Sequence, residues 1–309
     1  MAEITAKAVM DLRTKTGVGM MECKKALVAA NGDFEEAIKI LREKGLSVAA
    51  KKADRIASEG IVDIMKSGGT TAIIEVNAET DFVAKNATFK EFVKGILSTV
   101  LENKPETVAE LLAMNFAGSD MTVEEALKDK IFTIGENMSI RRFAIFEGVT
   151  GTYIHGGGAA GVVTVFETDS GIEKTEAFGE YAKNICMQIA AMNPLYVSKE
   201  DVPASVLDYE KEILMSQIEN DDKLKNKPDA VKEKMVEGRI KKYFDTNCLI
   251  EQQYVKEEDQ KVGRYTENTS KELGGSIKIV SFVKYERGEG LEKKEENFAE
   301  EIDKLVKGS

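Results

Sequence analysis

Tryptophan is absent from the 309-residue chain, histidine occurs once, and there are only four prolines and three cysteines. Each shortage excludes something. With His155 as the single imidazole, a Ser-His-Asp triad has one place to form and a His-rich metal site has none. Cys23, Cys186 and Cys248 are odd in number and far apart, and no CxxC pair occurs. That removes zinc ribbons, thioredoxin-type chemistry and a disulfide framework. A reducing, cytoplasmic setting is expected. No apolar run approaches the roughly 18 residues of a membrane helix. The segment Met1–Lys7 has no apolar signal core, so no membrane partner is expected. Positive charge is in deficit too: 43 Lys and Arg against 54 Asp and Glu leave a net charge of −11. Such a chain gains nothing from phosphate attraction, so direct nucleic-acid binding is not expected.

What remains is an ordinary globular balance, 42% hydrophobic and 31% charged. The length suggests about two domains. Residues 1–55 read as a small helical head. Ile4, Val9 and Leu12 have helical spacing, broken by Gly17-Val18-Gly19. A second helix runs from Met20 to Ala30 and stops at Asn31-Gly32. Asp33 caps a third, carrying Phe34, Ala37, Ile38 and Leu41 and ending at Gly45. Ala49–Arg55 then forms a separate linker helix. The head carries +3 and the remainder −14.

The middle of the chain is duplicated. Glu59-Gly60-Ile61 recurs as Glu147-Gly148-Val149, and Gly68-Gly69 as Gly156-Gly157. Ala72–Val76 recurs as Gly161–Val165, Glu79–Asp81 as Glu167–Asp169, and Phe89–Lys94 as Phe178–Lys183. The offset is 88 or 89 in all five blocks. Each copy reads as strand, Gly-rich hairpin, strand, loop and helix, so an α+β fold of two like subdomains is expected. Between the copies, Thr122 and Glu125 form a capping box on a helix that Gly135 ends. Ile134–Arg142 then leads into the first strand of the second copy.

Residues 204–244 carry two helical stripes, Val206 to Ile218 and Val231 to Phe244, around the polar turn Asn220–Pro228. They predict an inserted helical hairpin. Ile277–Val283 reads as a strand completing the second sheet, and residues 291–307 as a terminal helix with Leu291, Phe298, Ile302 and Leu305 inward.

A search for chemistry is nearly empty. Neither a Walker loop nor a dinucleotide-binding glycine motif occurs, and Gly156-Gly157-Gly158 matches a hairpin turn in the other copy. No carboxylate pairs with a nucleophile in a recognisable pattern, so no catalytic residue, cofactor or bound metal is expected. Three features stand out. At Thr80-Asp81-Phe82-Val83, Thr80 or Asp81 can cap a helix. Phe82 reads as either core or a contact residue. The second copy keeps Thr168-Asp169 but has Ser170 in place of Phe82, so the aromatic is particular to the first copy. Met20 and Met21 read as core, except that adjacent helix positions cannot both face one core. An exposed methionine suits an adaptable interface. His155, at a hairpin, reads as a turn residue or a protein contact.

These blocks resemble the elongation factor Ts family, bacterial guanine-nucleotide exchange factors. The resemblance rests on Thr16–Leu27, Thr80–Lys85, Ile134–Arg142, Val236–Arg239 and Gly288–Gly290, in order along essentially the whole chain. It implies a ubiquitin-associated-like three-helix domain at 1–55 and core subdomains at 56–140 and at 141–203 with 245–288. It further implies the hairpin at 204–244 and a C-terminal module at 289–309. The implied partner is the GTPase elongation factor Tu. Thr80, Asp81, Phe82 and Val83 match the segment that displaces the partner's Mg²⁺, Asp81 and Phe82 being the intruding pair. Met20, Met21 and His155 match partner contacts. Self-association through the hairpin varies in the family, which leaves oligomeric state open. The rival reading is a binding scaffold without exchange activity.

Overall fold

The computed structural model describes residues 4–169 and 171–292. The terminal helix expected at 291–307 falls almost entirely outside them, as does Ser170.

Three helices form the head: α1 (Ala6–Thr16), α2 (Met20–Ala29) and α3 (Phe34–Lys52). Thr5 and Asp33 cap α1 and α3 through side-chain oxygens, and Gly17 ends α1 in the left-handed region. Val9, Leu12, Cys23, Ala26, Leu27, Ala37 and Leu41 fill the core of the head. One expectation fails. The third helix does not stop at Gly45, and Ala49–Arg55 is not a separate helix; α3 runs through to Lys52. Glycine inside a helix costs roughly 1 kcal/mol relative to alanine. The helix carries that cost: Gly45 faces the Phe132 ring at the joint with the body, where a Cβ would be in ordinary contact at 3.5 Å, so the approach does not demand glycine.

The body is α+β. Strands β1 (Glu59–Ser67) and β2 (Thr70–Ala78) form a hairpin. The short α4 (Asp81–Lys85) and the long α5 (Ala87–Asn103) follow, then α6 (Val108–Ala113) and α7 (Val123–Ile134). Thr122 and Glu125 make the capping box on α7, and Gly135 ends it. β3 (Met138–Glu147) then joins the first sheet in the order β1-β2-β3, all antiparallel. Residues 134–142 therefore do not lead into the second copy. The division at 140/141 falls inside β3, which stays with the first sheet as far as Glu147.

The second unit repeats the plan. β4 (Val149–His155) and β5 (Ala160–Thr168) pair, and α8 (Glu176–Met192) packs on them. The hairpin α9 (Ala204–Asn220) and α10 (Asp229–Asn247) is inserted next. A two-stranded ribbon, β6 (Gln253–Tyr254) with β7 (Glu257–Lys261), and α11 (Val262–Glu272) follow it. β8 (Ile277–Glu286) completes the sheet β4-β5-β8.

The sheets stack face to face. Ile61, Ala72, Ile74 and Val76 point toward α5, while Val62 and Ile73 point toward Val163 of the other sheet. Both faces of β2 are covered, so all nine of its residues are buried and the strand reads as an apolar run. Gly161 allows the close approach, because a Cβ there would come within 2.6 Å of Val62.

Candidate functional site

The Thr80–Val83 corner joins β2 to α4. Thr80 is extended and its Oγ1 accepts from the Val83 N–H at 3.4 Å, so Thr80 is the cap and Asp81 the first helical residue. Val83 and Ala84 are buried in the core beneath α5. Phe82 points the other way and is 80% exposed. A phenyl ring gains about 1.5–3 kcal/mol from full burial, and here nearly all of that is forgone. The core reading of Phe82 is overturned.

The backbone under this ring is tied down. The Thr80 N–H donates to Glu136 Oε2 at 3.1 Å, and the Thr80 hydroxyl donates to Glu136 Oε1 at 2.8 Å. The Asn137 N–H donates to Glu79 Oε1 at 2.5 Å. The Asn137 amide donates to the carbonyls of Ala53 and Arg55 at 3.2 and 2.8 Å, and Lys52 donates to the Gly135 carbonyl. Residues 135–137 thus join the end of the head to the turn that carries Phe82. Asp81 is half exposed and paired with Lys85 at 2.6 Å; the Lys85 hydrogen bond holds its carboxyl below the usual carboxylate range.

Met20 and Met21 open α2 and are 37% and 65% exposed, so neither packs in the head. Cys23, Ala26 and Leu27 form the buried face of that helix instead. His155 is exposed at the end of β4, with Nδ1 3.0 Å from the Tyr153 hydroxyl. The loop it opens rests on the first unit, where the Gly158 carbonyl accepts from the Val62 N–H at 2.8 Å. The tetrapeptide forms one structural unit, while the methionines and His155 stand on separate elements.

Sequence reasoning missed a second cluster. Glu75 is fully buried in β2. It accepts from Arg141 Nη1 at 2.9 Å, Arg142 Nε at 2.6 Å, Asn77 Nδ2 at 3.2 Å and the Gly288 N–H at 2.8 Å. Neighbours in a strand normally face opposite ways. A β-bulge leaves Arg141 without a partner in the register, and both arginines reach Glu75. Arg142 also meets Glu289 at 3.0 Å and lies over the Tyr285 ring. Gly288 has φ +67°, and a Cβ there would sit 2.1 Å from the Ser58 carbonyl oxygen. The available signal was a single charge inside the apolar run Ala72–Val76. Among the described residues, no group of three or more His, Cys, Asp or Glu is placed to hold a metal ion. None of the described helices is long and apolar enough to cross a membrane.

Together these features define a duplicated α+β protein with a helical head, an inserted helical hairpin and an aromatic side chain held outward on a braced turn. The family model described as Elongation factor TS matches residues 79–289. The chain belongs to the elongation factor Ts family, and with it to the translation elongation factors. It is 48% identical to Elongation factor Ts of Clostridium kluyveri, over 99% of both chains. It is 49% identical to that of Clostridium perfringens over 98% of this chain and 99% of the relative. The protein from Syntrophotalea carbinolica is 46% identical over 99% of this chain and the whole relative.

Proposed function

We propose that this chain is a guanine-nucleotide exchange factor for the GTPase elongation factor Tu, acting in the cytoplasm. Phe82, exposed on a braced turn, carries the reading. A bound GDP is held through its phosphates and through Mg²⁺, the largest local charge in such a site. An aromatic wedge supported from behind can displace the side chains that hold the metal. Asp81 brings a carboxylate beside the wedge, Thr80 caps the helix, and Val83 anchors it in the core. Met20, Met21 and His155 are the proposed contacts that hold the partner while the wedge acts.

No covalent bond is made or broken in this scheme, so it needs no nucleophile or general base. By linkage, a factor that weakens GDP binding is itself weakened equally by GDP. Rebinding of GTP then releases the factor. Each tenfold loss of nucleotide affinity corresponds to about 1.4 kcal/mol of coupling.

The test is release of a fluorescent GDP analogue from the cognate elongation factor Tu, with and without this protein. Acceleration by the parent chain, at least tenfold weaker with Phe82→Ala, is the expected result. Binding without acceleration would leave a scaffold and overturn the exchange reading.

A further inference from the structure

We propose that Glu136 is a positioning residue for the Phe82 wedge. The inference rests on the exchange reading above and names what holds the wedge in place. Thr80 offers two donors, its N–H and its hydroxyl, and the two oxygens of the Glu136 carboxylate accept one each, at 3.1 and 2.8 Å. Hydrogen bonds to a charged acceptor are about twice as strong as neutral ones, and a paired arrangement also fixes orientation.

The clamp acts at the point of greatest leverage. Thr80 is the residue where the extended β2 turns into α4, and its hydroxyl also accepts from the Val83 N–H. α4 is a single short helix of five residues, too short to hold its own direction. Phe82 lies two residues beyond the clamp, with an exposed ring that receives little support from packing. Its direction is therefore set through the backbone. Glu136 itself is held between Gly135, which receives Lys52, and the buried Asn137, which is bonded to Glu79, Ala53 and Arg55. A wedge pushing into a partner meets a reaction force. The clamp passes that force to β3 and α7 instead of letting the turn rotate away.

The chain has no tryptophan, so Phe82→Trp supplies a unique fluorophore at the wedge. Its time-resolved anisotropy is read in the free, full-length protein, with Glu136 intact and as Glu136→Gln or Glu136→Ala. Fast local motion of the indole is expected to grow in amplitude by about twofold with Ala and by less with Gln, which keeps one acceptor and the shape. Unchanged indole motion in both variants, with the proteins folded by circular dichroism, would overturn the clamp. This readout needs no partner, so it stands apart from the exchange reading.

The second readout is nucleotide release with Phe82 restored. Glu136→Ala is expected to lower the saturating release rate about tenfold while the concentration for half-maximal effect stays within about twofold. Glu136→Gln should recover part of that rate. In the double variant with Phe82→Ala, loss of Glu136 should add little, because it acts through Phe82. Additive losses would overturn the positioning role. A looser indole, together with accelerated release that neither Phe82→Ala nor Glu136→Ala slows, would sustain the clamp and sink the wedge role of Phe82, whereas a looser indole with no acceleration by the parent chain would sink the exchange reading itself.

Discussion

Phe82 and Glu75 are opposite cases of a side chain placed against its chemical preference. The aromatic is outside and the carboxylate is inside. The exposed ring contributes little to folding, so Phe82→Ala should leave denaturant-measured stability within about 0.5 kcal/mol of the parent. A loss on the order of 3 kcal/mol would mean the ring is core in solution. Apart from the family resemblance, comparison with the second copy made Phe82 stand out in the sequence, because Thr168-Asp169 repeats Thr80-Asp81 without the aromatic. The expected shared cap is absent, since Thr168 ends β5 and Thr175 caps α8. The exposure of Phe82 was not legible, since a phenylalanine one residue from the buried Val83 fits a core equally well.

At the scale of elements, most boundaries are local matters. Thr5, Asp33, Thr80 and Thr122 cap their own helices within three residues, so short-range chemistry marks those starts. Helix α3 shows the limit, because the worth of Gly45 depends on Phe132, far along the chain. Two helical glycines should therefore respond in opposite directions. A Cβ at Gly45 meets the Phe132 ring at 3.5 Å, an ordinary contact. Gly45→Ala should stabilise by about 0.5–1 kcal/mol in thermal unfolding. At Gly95 of α5 a Cβ would lie 2.1 Å from Phe116, which is stacked on Phe92. Gly95→Ala should cost about 1–3 kcal/mol through overpacking. The hairpin has a small core of its own, with Ile218, Val236 and Ile240 buried. Ile218→Ala should raise hydrogen exchange in α9 and α10 while the amides of β1 to β5 keep their protection.

At the scale of the whole molecule, Glu75 joins what the sequence separates. It lies in the first sheet, yet its partners include Gly288, beyond the last strand of the second. Through Arg142 it also reaches Glu289. Removing the carboxylate would leave Arg141 without its ion pair and Arg142 with Glu289 alone, so Glu75→Ala should cost on the order of 3 kcal/mol. Burial alone would raise the carboxyl's pKa. The Gly288 N–H, Arg141, Asn77 and the charge of Arg142 outweigh that and hold it below the ordinary 4.5. A carboxyl lowered in the folded state stabilises fully above its unfolded value and loses that contribution as pH falls through the folded one. Urea titrations between about pH 7 and pH 3 should therefore show stability falling below about pH 4.5. The fall should be shallower in Glu75→Gln. Equal slopes in the two proteins would assign the acid sensitivity to other groups.

The sequence alone determined what short-range chemistry can encode. Helix caps, hairpin glycines, the apolar β2 run and the repeated strand-turn-strand-helix plan all rest on neighbours a few residues apart or on comparison of the two copies. Tertiary structure decided which long-range partners meet. β3 joined the first sheet and not the second, because antiparallel pairing with β2 closes that sheet. A bulge one register step wide brought Arg141 and Arg142 together on Glu75. The Glu136 carboxylate, 56 residues from Thr80, came to clamp the wedge. Such contacts depend on strand register and packing across the whole chain, and no spacing along the sequence encodes them.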